Sequence, residues 1–296
     1  MYNRNAQIHY HLMLLPGMVL LAIFSYYPML GAVIAFKKYL PAKGIWGSPW
    51  TGWDNIAFMF QISDSKTILF NTVFIAVMKI IANLVVPLAF ALLLNETRRR
   101  IFKRWVQTIV YLPHFMSWVL LSVIMLKIFS MKGVVNQFLG LFGIDPILFL
   151  GSNAWFPAVL VGSEVWKDFG FSAIIYLAAL TAINPALYEA AEIDGASRWR
   201  KLWNVTLPGI MPTVVLLATL ALGNVLDAGF EQILNLYNPL VYQSGDVIDT
   251  YVYRVGLVQS QYGIASAVGL LKSVVSFVLI VASYLLASRF AKYRIF

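Results

Sequence analysis

Six apolar runs alternate with shorter polar stretches along the chain. They cover about 12–36, 68–94, 108–129, 157–180, 210–225 and 267–290. A helix needs roughly 20 mainly apolar residues to cross the hydrocarbon layer, and all but the fifth run meet that length. None shows the ten-residue alternation of a transmembrane β-strand. The pattern predicts an all-α integral membrane fold with six transmembrane helices. With no internal repeat and no low-complexity linker, residues 1–296 form one membrane domain. The first run is too long for a cleaved signal peptide and lacks a small-residue cleavage site.

Composition strengthens this reading. Hydrophobic residues make up 60% of the chain and charged ones 12%, against roughly 45–50% and about 25% in soluble domains. Lipid must cover the excess. The net charge of +9 is no sign of nucleic-acid binding here, because Lys and Arg fix the orientation of a membrane protein. The N-terminus, loop 95–107, loop 181–209 and the C-terminal end carry 12 Lys and Arg, Arg289 included; loops 37–67, 130–156 and 226–266 carry 6. This asymmetry predicts that both termini are cytoplasmic. Loop 95–107, with Arg98, Arg99, Arg100, Lys103 and Arg104, is the strongest anchor, and Lys37, Lys38 and Lys43 oppose it. The absence of Cys excludes disulfides and thiolate metal sites.

Between the fourth and fifth runs lies a polar stretch, YEAAEIDGASRWRKLWNVTLPGI, from Tyr188 to Ile210. Asn184-Pro185 is a helix start, and Gly195 stands where a helix ends in a left-handed cap. Ser197 then caps a second helix that Pro208 is expected to close. On the first helix Ala186, Ala190 and Ile193 share a small, apolar face flanked by Glu189. Two uses fit it: insertion into a groove on a partner, or a helix pair lying on lipid headgroups with Trp199 and Trp203 as anchors.

The same residues carry a resemblance. Glu189-Ala190-Ala191, Gly195 and Val205-Thr206-Leu207-Pro208, at their fixed spacing, resemble the cytoplasmic loop signature of binding-protein-dependent ABC import permeases. Tyr188 and Asp194-Gly195-Ala196 are similar to the sugar-importing branch. So are Trp166-Lys167 with FGFSAIIYLAAL, and the run from Asp249 through TYVYRVGLVQSQYGIASAVG. Leu15-Pro16-Gly17 and SYYPML at Ser25–Leu30 resemble the oligosaccharide and lipoprotein-linked subgroup. Two positions depart from the pattern, Leu257 at a usually aromatic place and Tyr237-Asn238-Pro239 where Gly-Gly-Pro is usual.

The resemblance implies the type I ABC importer fold, residence in the bacterial cytoplasmic membrane, and a role as half of a translocation pathway for an oligosaccharide or polysaccharide fragment. It implies as partners a second permease, more naturally a different chain, two ATPase subunits and an extracytoplasmic solute-binding protein. ATP and Mg would be bound by those ATPases, since this chain has no G-x-x-x-x-G-K-[ST] phosphate cradle and needs no cofactor of its own. In the coupling loop 181–209, Ala190 and Ala191 would enter an ATPase cleft and Glu189 would make polar contact. Tyr188 and Asp194 belong to the same signature. Gly195 would reverse the chain, and Leu207-Pro208 would fix the joint to the fifth crossing.

Candidate pathway residues are Asn83, Trp118, Glu164, Trp166, Lys167, Asn224 and Asp227, because polar groups at membrane depth usually face a cavity or a partner. Glu164 and Lys167, three apart, also suit a pair along one helix, with Asp168 beside them. Lys79, Lys127 and Lys272 suit either snorkelling or, on the pathway, an acidic glycan. Other cargo, such as an amino acid, phosphate or metal, would use the same machine. A membrane enzyme fits poorly. His9 and His11 point to different helix faces, His114 follows a proline, and no catalytic residues or metal ligands stand out.

Overall fold

The computed structural model describes residues 4–290, with side chains described over 9–285. Lys292, Arg294 and the side chains of Arg4 and Arg289, counted above for orientation, lie outside those residues. Every named element is helical: α1 (Arg4–Leu21), α2 (Asp54–Gln61), α3 (Ser65–Asn95), α4 (Arg100–Tyr111), α5 (Trp118–Ile128), α6 (Val134–Gly140), α7 (Phe156–Thr181), α8 (Pro185–Ile193), α9 (Arg198–Lys201), α10 (Leu207–Leu222), α11 (Phe230–Leu236) and α12 (Tyr262–Phe290). Four helical stretches are long and apolar enough to cross a membrane: His9–Phe36, Ser65–Asn95, Arg198–Leu222 and Tyr262–Leu285. The number rises to 6 if two bent helix pairs each count as one span.

The prolines explain where rods continue. A proline ring clashes with the carbonyl four residues back. At Tyr27-Pro28 and Leu207-Pro208 a π turn precedes it, Ala22–Tyr26 and Leu202–Thr206 respectively. In each, the residue before proline donates its N–H five residues back, Tyr27 to Ala22 and Leu207 to Leu202. The wider turn admits the ring and keeps the amides bonded. Pro208 therefore does not close the helix capped by Ser197, contrary to the expectation above. That helix runs on for 25 residues, Arg198–Leu222.

The third apolar run is also not straight. α4 ends in a 3-10 turn, Leu112–Phe115, and α5 departs at 107°. Pro113 supplies no N–H, and Ser117, extended at φ −68° and ψ 152°, restarts the helix by accepting the amide of Leu120 at 3.4 Å.

The chain divides into two compact units. Residues up to 65 with 251–273 form the first. Its small core joins Ala35, Ile56 and Ala267, and Asn55 Nδ2 ties the chain by donating to the carbonyls of Ala35 (2.9 Å) and Lys37 (3.0 Å). The second unit, 66–250 with the remainder of α12, has two apolar clusters. Ile75, Phe156, Leu160, Ile233 and Leu236 belong to one, and Ala91, Ala173, Tyr176, Leu180 and Ile210 to the other. α3 and α7 run through both, so a layer of residues between the clusters is left to polar side chains.

Outward-facing positions are apolar: Phe24, Leu93, Ile101, Val119 and Phe277 are all exposed. Such a surface is stable against lipid or a partner subunit rather than water.

Helix crossings depend on small residues. A Cβ at Gly170 of α7 would lie 2.5 Å from the Val110 carbonyl oxygen of α4, whereas Gly162 on the same helix has nothing within 4 Å. Gly170→Ala is expected to cost about 1–3 kcal/mol by overpacking, read as a lower melting temperature of the detergent-solubilised protein. Gly162→Ala should leave it unchanged.

Candidate functional site

Two regions concentrate the polar residues. The first is the stretch 184–208. Asn184 Oδ1 accepts the amide of Ala186 at 3.0 Å, and Pro185 occupies the first turn of α8, where a missing N–H costs nothing. α8 ends at a left-handed Gly195, φ +70°. The Gly195 amide reaches the Glu192 carbonyl at 3.0 Å and the Ala196 amide the Ala191 carbonyl at 2.9 Å. A side chain at that φ costs about 1 kcal/mol or more. Ser197 Oγ caps α9 through the amide of Arg200 at 3.4 Å.

Two contacts that sequence reasoning missed lock α8 onto the returning helix. The Tyr188 hydroxyl meets Thr206 Oγ1 at 3.0 Å, with Thr206 itself buried. Lys201 Nζ hydrogen-bonds and ion-pairs with Glu192, and this contact holds the Glu192 carboxyl below its usual pKa. Below the hinge, Ile183 closes against Gly209, where a Cβ would lie 2.9 Å from Ile183 Cδ1.

The opposite side of α8 is open. Ala186, Glu189 and Ala190 are exposed, and Ile193 is 87% exposed. Ala191, by contrast, is half-buried. Asp194 is exposed at the helix end, Leu207 half-buried, and Pro208 exposed within the continuous rod.

The second region is a cavity of about 480 Å³ in the polar layer between the two apolar clusters. Asn83 of α3, Glu164 and Ser172 of α7, and Asn224, Asp227 and Gly229 beyond α10 are on its wall. Four of the seven pathway candidates (Asn83, Glu164, Asn224 and Asp227) thus meet at one place. The other three do not line it. Trp118 is buried on α5, with Lys167 Nζ 5.8 Å from its ring centre, and Trp166 is exposed away from the cavity.

The ion pairs differ from the helical pairing expected for Glu164 and Lys167. Glu164 Oε2 faces Lys79 Nζ of α3 at 3.4 Å. Lys167 turns instead to Asp168 at 3.6 Å and donates to the His114 carbonyl at 3.2 Å. His114 Nδ1 lies 2.8 Å from Asp168 Oδ1, and its ring stacks on Phe171 at 4.0 Å. His114 thus braces the bend between α4 and α5.

Lys79 does not snorkel. Its ammonium is buried and donates to the Ala228 carbonyl at 2.7 Å, to Glu164 and to Gln232 Oε1. Gln232 in turn donates to the Leu160 carbonyl (2.7 Å) and to Ser163 Oγ (2.8 Å). All three ammonium protons are therefore engaged. Gly229, at φ +87°, lets the backbone pass over this ammonium, which lies 2.7 Å from where a Cβ would be. Sequence reasoning missed Gln232 because 226–266 read as an outer loop, and Ser163 because it is a lone small hydroxyl within the fourth apolar run. A Gln next to Ile233 and one turn before Leu236 was the available signal. Besides the Lys79–Glu164 pair, the polar groups on the cavity wall are the Asn83 and Asn224 amides, the Ser172 hydroxyl and the Asp227 carboxylate. Asn83 Oδ1 is buried and without a hydrogen-bond partner among the described residues.

Removing one partner from a buried pair leaves a bare charge, at a cost of about 3–5 kcal/mol. Lys79→Met is expected to lower yield and melting temperature sharply in detergent, and Lys79→Met with Glu164→Gln should recover a large part of that loss.

Comparison with known proteins places this geometry. Residues 83–292 match the family described as binding-protein-dependent transport system inner membrane component. The chain is 40% identical to the polygalacturonan/rhamnogalacturonan transport system permease protein YteP of Bacillus subtilis, over 98% of this chain and 91% of that protein. It is 39% identical to protein LplB of the same organism, over 97% and 90%. A crystal structure of a bacterial ABC transporter involved in the import of the acidic polysaccharide alginate matches with a TM-score of 0.89 and 38% identity over 97% of each chain. A second, of a bacterial alginate ABC transporter in complex with alginate pentasaccharide-bound periplasmic protein, matches with 0.90 and 37% over 98% of each. The fold is that of a type I ABC importer permease. Its continuous rods, the capped and exposed α8 and the polar layer between two apolar clusters are the parts of a transport subunit, and the chain belongs to the family of binding-protein-dependent transport system inner membrane components.

Proposed function

We propose that this chain forms half of the pathway of an ATP-driven importer for an oligosaccharide derived from a polysaccharide. The observation that carries the coupling role is the open face of α8. Ala186, Glu189, Ala190 and Ile193 stand free on a helix that is fixed on its other side by Tyr188–Thr206 and Lys201–Glu192. A helix so held transmits a push instead of bending. The returning rod Arg198–Leu222 has no break at Pro208, so displacement of α8 reaches the cavity wall at Leu217 and Ala221.

In this reading two ATPase subunits bind ATP and Mg and dock against α8 and its counterpart on a second permease, taken to be a different chain. An extracytoplasmic binding protein delivers the cargo. Both termini face the cytoplasm, as the distribution of Lys and Arg supports. Saccharide cargo is supported by the named transport roles of the relatives. It also suits a cavity in which Asn83, Asn224 and Asp227 offer partners to hydroxyl groups.

The test is uptake and ATP hydrolysis by the reconstituted complex, with binding protein loaded from a panel of oligosaccharides. One or a few should stimulate hydrolysis. Glu189→Lys and Gly195→Asp should leave the chain in the membrane and hydrolysis uncoupled from uptake. Normal uptake in both variants would contradict the coupling role, and stimulation by amino acids or phosphate alone would contradict the cargo.

A further inference from the structure

Residues 96–99 join α3 to α4, and neither this link nor α4 lines the cavity or belongs to α8. Arg98, Arg99, Arg100 and Arg104 are exposed and Lys103 is half-buried. No ion pair among the described residues involves any of them. From Thr97 to Tyr111 the sequence holds no acid. α4 begins at Arg99 without a side-chain cap. Its first-turn amides are therefore open at the positive end of the helix dipole, where cations are unfavourable and an anion is favoured. The cations and the bare amides both call for negative charge, and the one acid of this segment, exposed Glu96, precedes the helix and forms no ion pair among the described residues.

The same helix is apolar beside its cations. Ile101 (75% exposed), Trp105 (65%) and Ile109 (65%) stand outward. Ile101, Arg104, Trp105 and Thr108, at helical spacing, line a shallow cleft of about 420 Å³. A ligand for it must carry an anionic head toward Arg100 and Arg104 and an apolar body along Trp105 and Ile109. Water-soluble phosphate lacks the second part, and a neutral phospholipid lacks the net charge. We propose that the start of α4 is a binding site for an anionic phospholipid of the bilayer. The phosphate is held by Arg100, Arg104 and the first amides of α4, and the acyl chains lie against Ile101, Trp105 and Ile109. The arginines set the affinity through charge, and Trp105 sets the depth.

The full chain in its assembled transporter, reconstituted into nanodiscs, tests this. Brominated phosphatidylglycerol or brominated phosphatidylcholine is added at equal mole fraction, and tryptophan quenching is read. Quenching by the anionic lipid should exceed that by the neutral one by at least about twofold. The excess should fall at high salt, fall again in Arg100→Gln with Arg104→Gln, and lose its main component in Trp105→Phe. Wild-type-like uptake in Trp105→Phe would show that this loss is not misfolding. Equal quenching by the two lipids overturns the proposal, as does an excess that persists at high salt, in the double arginine variant and in Trp105→Phe. Quenching at Trp105 that only the isolated chain shows, and that ATPase subunits abolish for both lipids, would assign the cluster to a protein partner and also overturn it.

Discussion

In a bilayer the protein has no water to satisfy a polar group that its own fold leaves bare, and the structure is arranged around that constraint. It determines how the prolines are carried. Tyr27-Pro28 and Leu207-Pro208 each follow a π turn in which the displaced amide still finds a carbonyl. At Pro113, by contrast, the helix breaks and Ser117 caps a new one. It also determines what becomes of a lysine at depth. Lys79 is enclosed by Glu164, Gln232 and the Ala228 carbonyl, and Gln232 is itself satisfied by Leu160 and Ser163. The apolar clusters above and below hold this layer in place, and the cavity opens beside it.

The constraint lifts at 184–208. There α8 is capped at one end by Asn184 and at the other by left-handed Gly195, and water or a partner receives its exposed face. The chain therefore divides its work. The Lys79 network inside the layer ties the rods together beside a polar cavity, and the segment 184–208 is stiffened by Tyr188–Thr206 yet presents a free surface.

Sequence periodicity revealed the all-helical class and the apolar runs, since lipid imposes a long, simple pattern. The caps of α8 were equally legible, because Asn-Pro and Gly act through local backbone chemistry. Pro208 misled, for a proline in a sequence reads as a stop and the π turn that accommodates it depends on where the following helix packs. The bend at Pro113 was hidden by the unbroken hydropathy on both sides. In the cavity, Asn83, Glu164, Asn224 and Asp227 were recognisable as polar residues at depth. That Glu164 pairs with Lys79 rather than Lys167 was not, because their contact spans 85 positions and local spacing says nothing of it. Trp118 was a candidate for stacking and Trp166 for its place among Glu164, Lys167 and Asp168, and neither lines the cavity.

The account turns on α8 being the surface through which force enters. The chain has no cysteine, so a single one can report on that surface without background. Ala190→Cys and, as control, the exposed residue Lys132→Cys, remote in sequence from α8, would be labelled with a maleimide, first on the isolated chain and then on the assembled transporter. The account predicts that both react in the isolated chain, and that ATPase subunits protect position 190 and leave position 132 unchanged. Equal labelling of position 190 with and without the ATPases would contradict it.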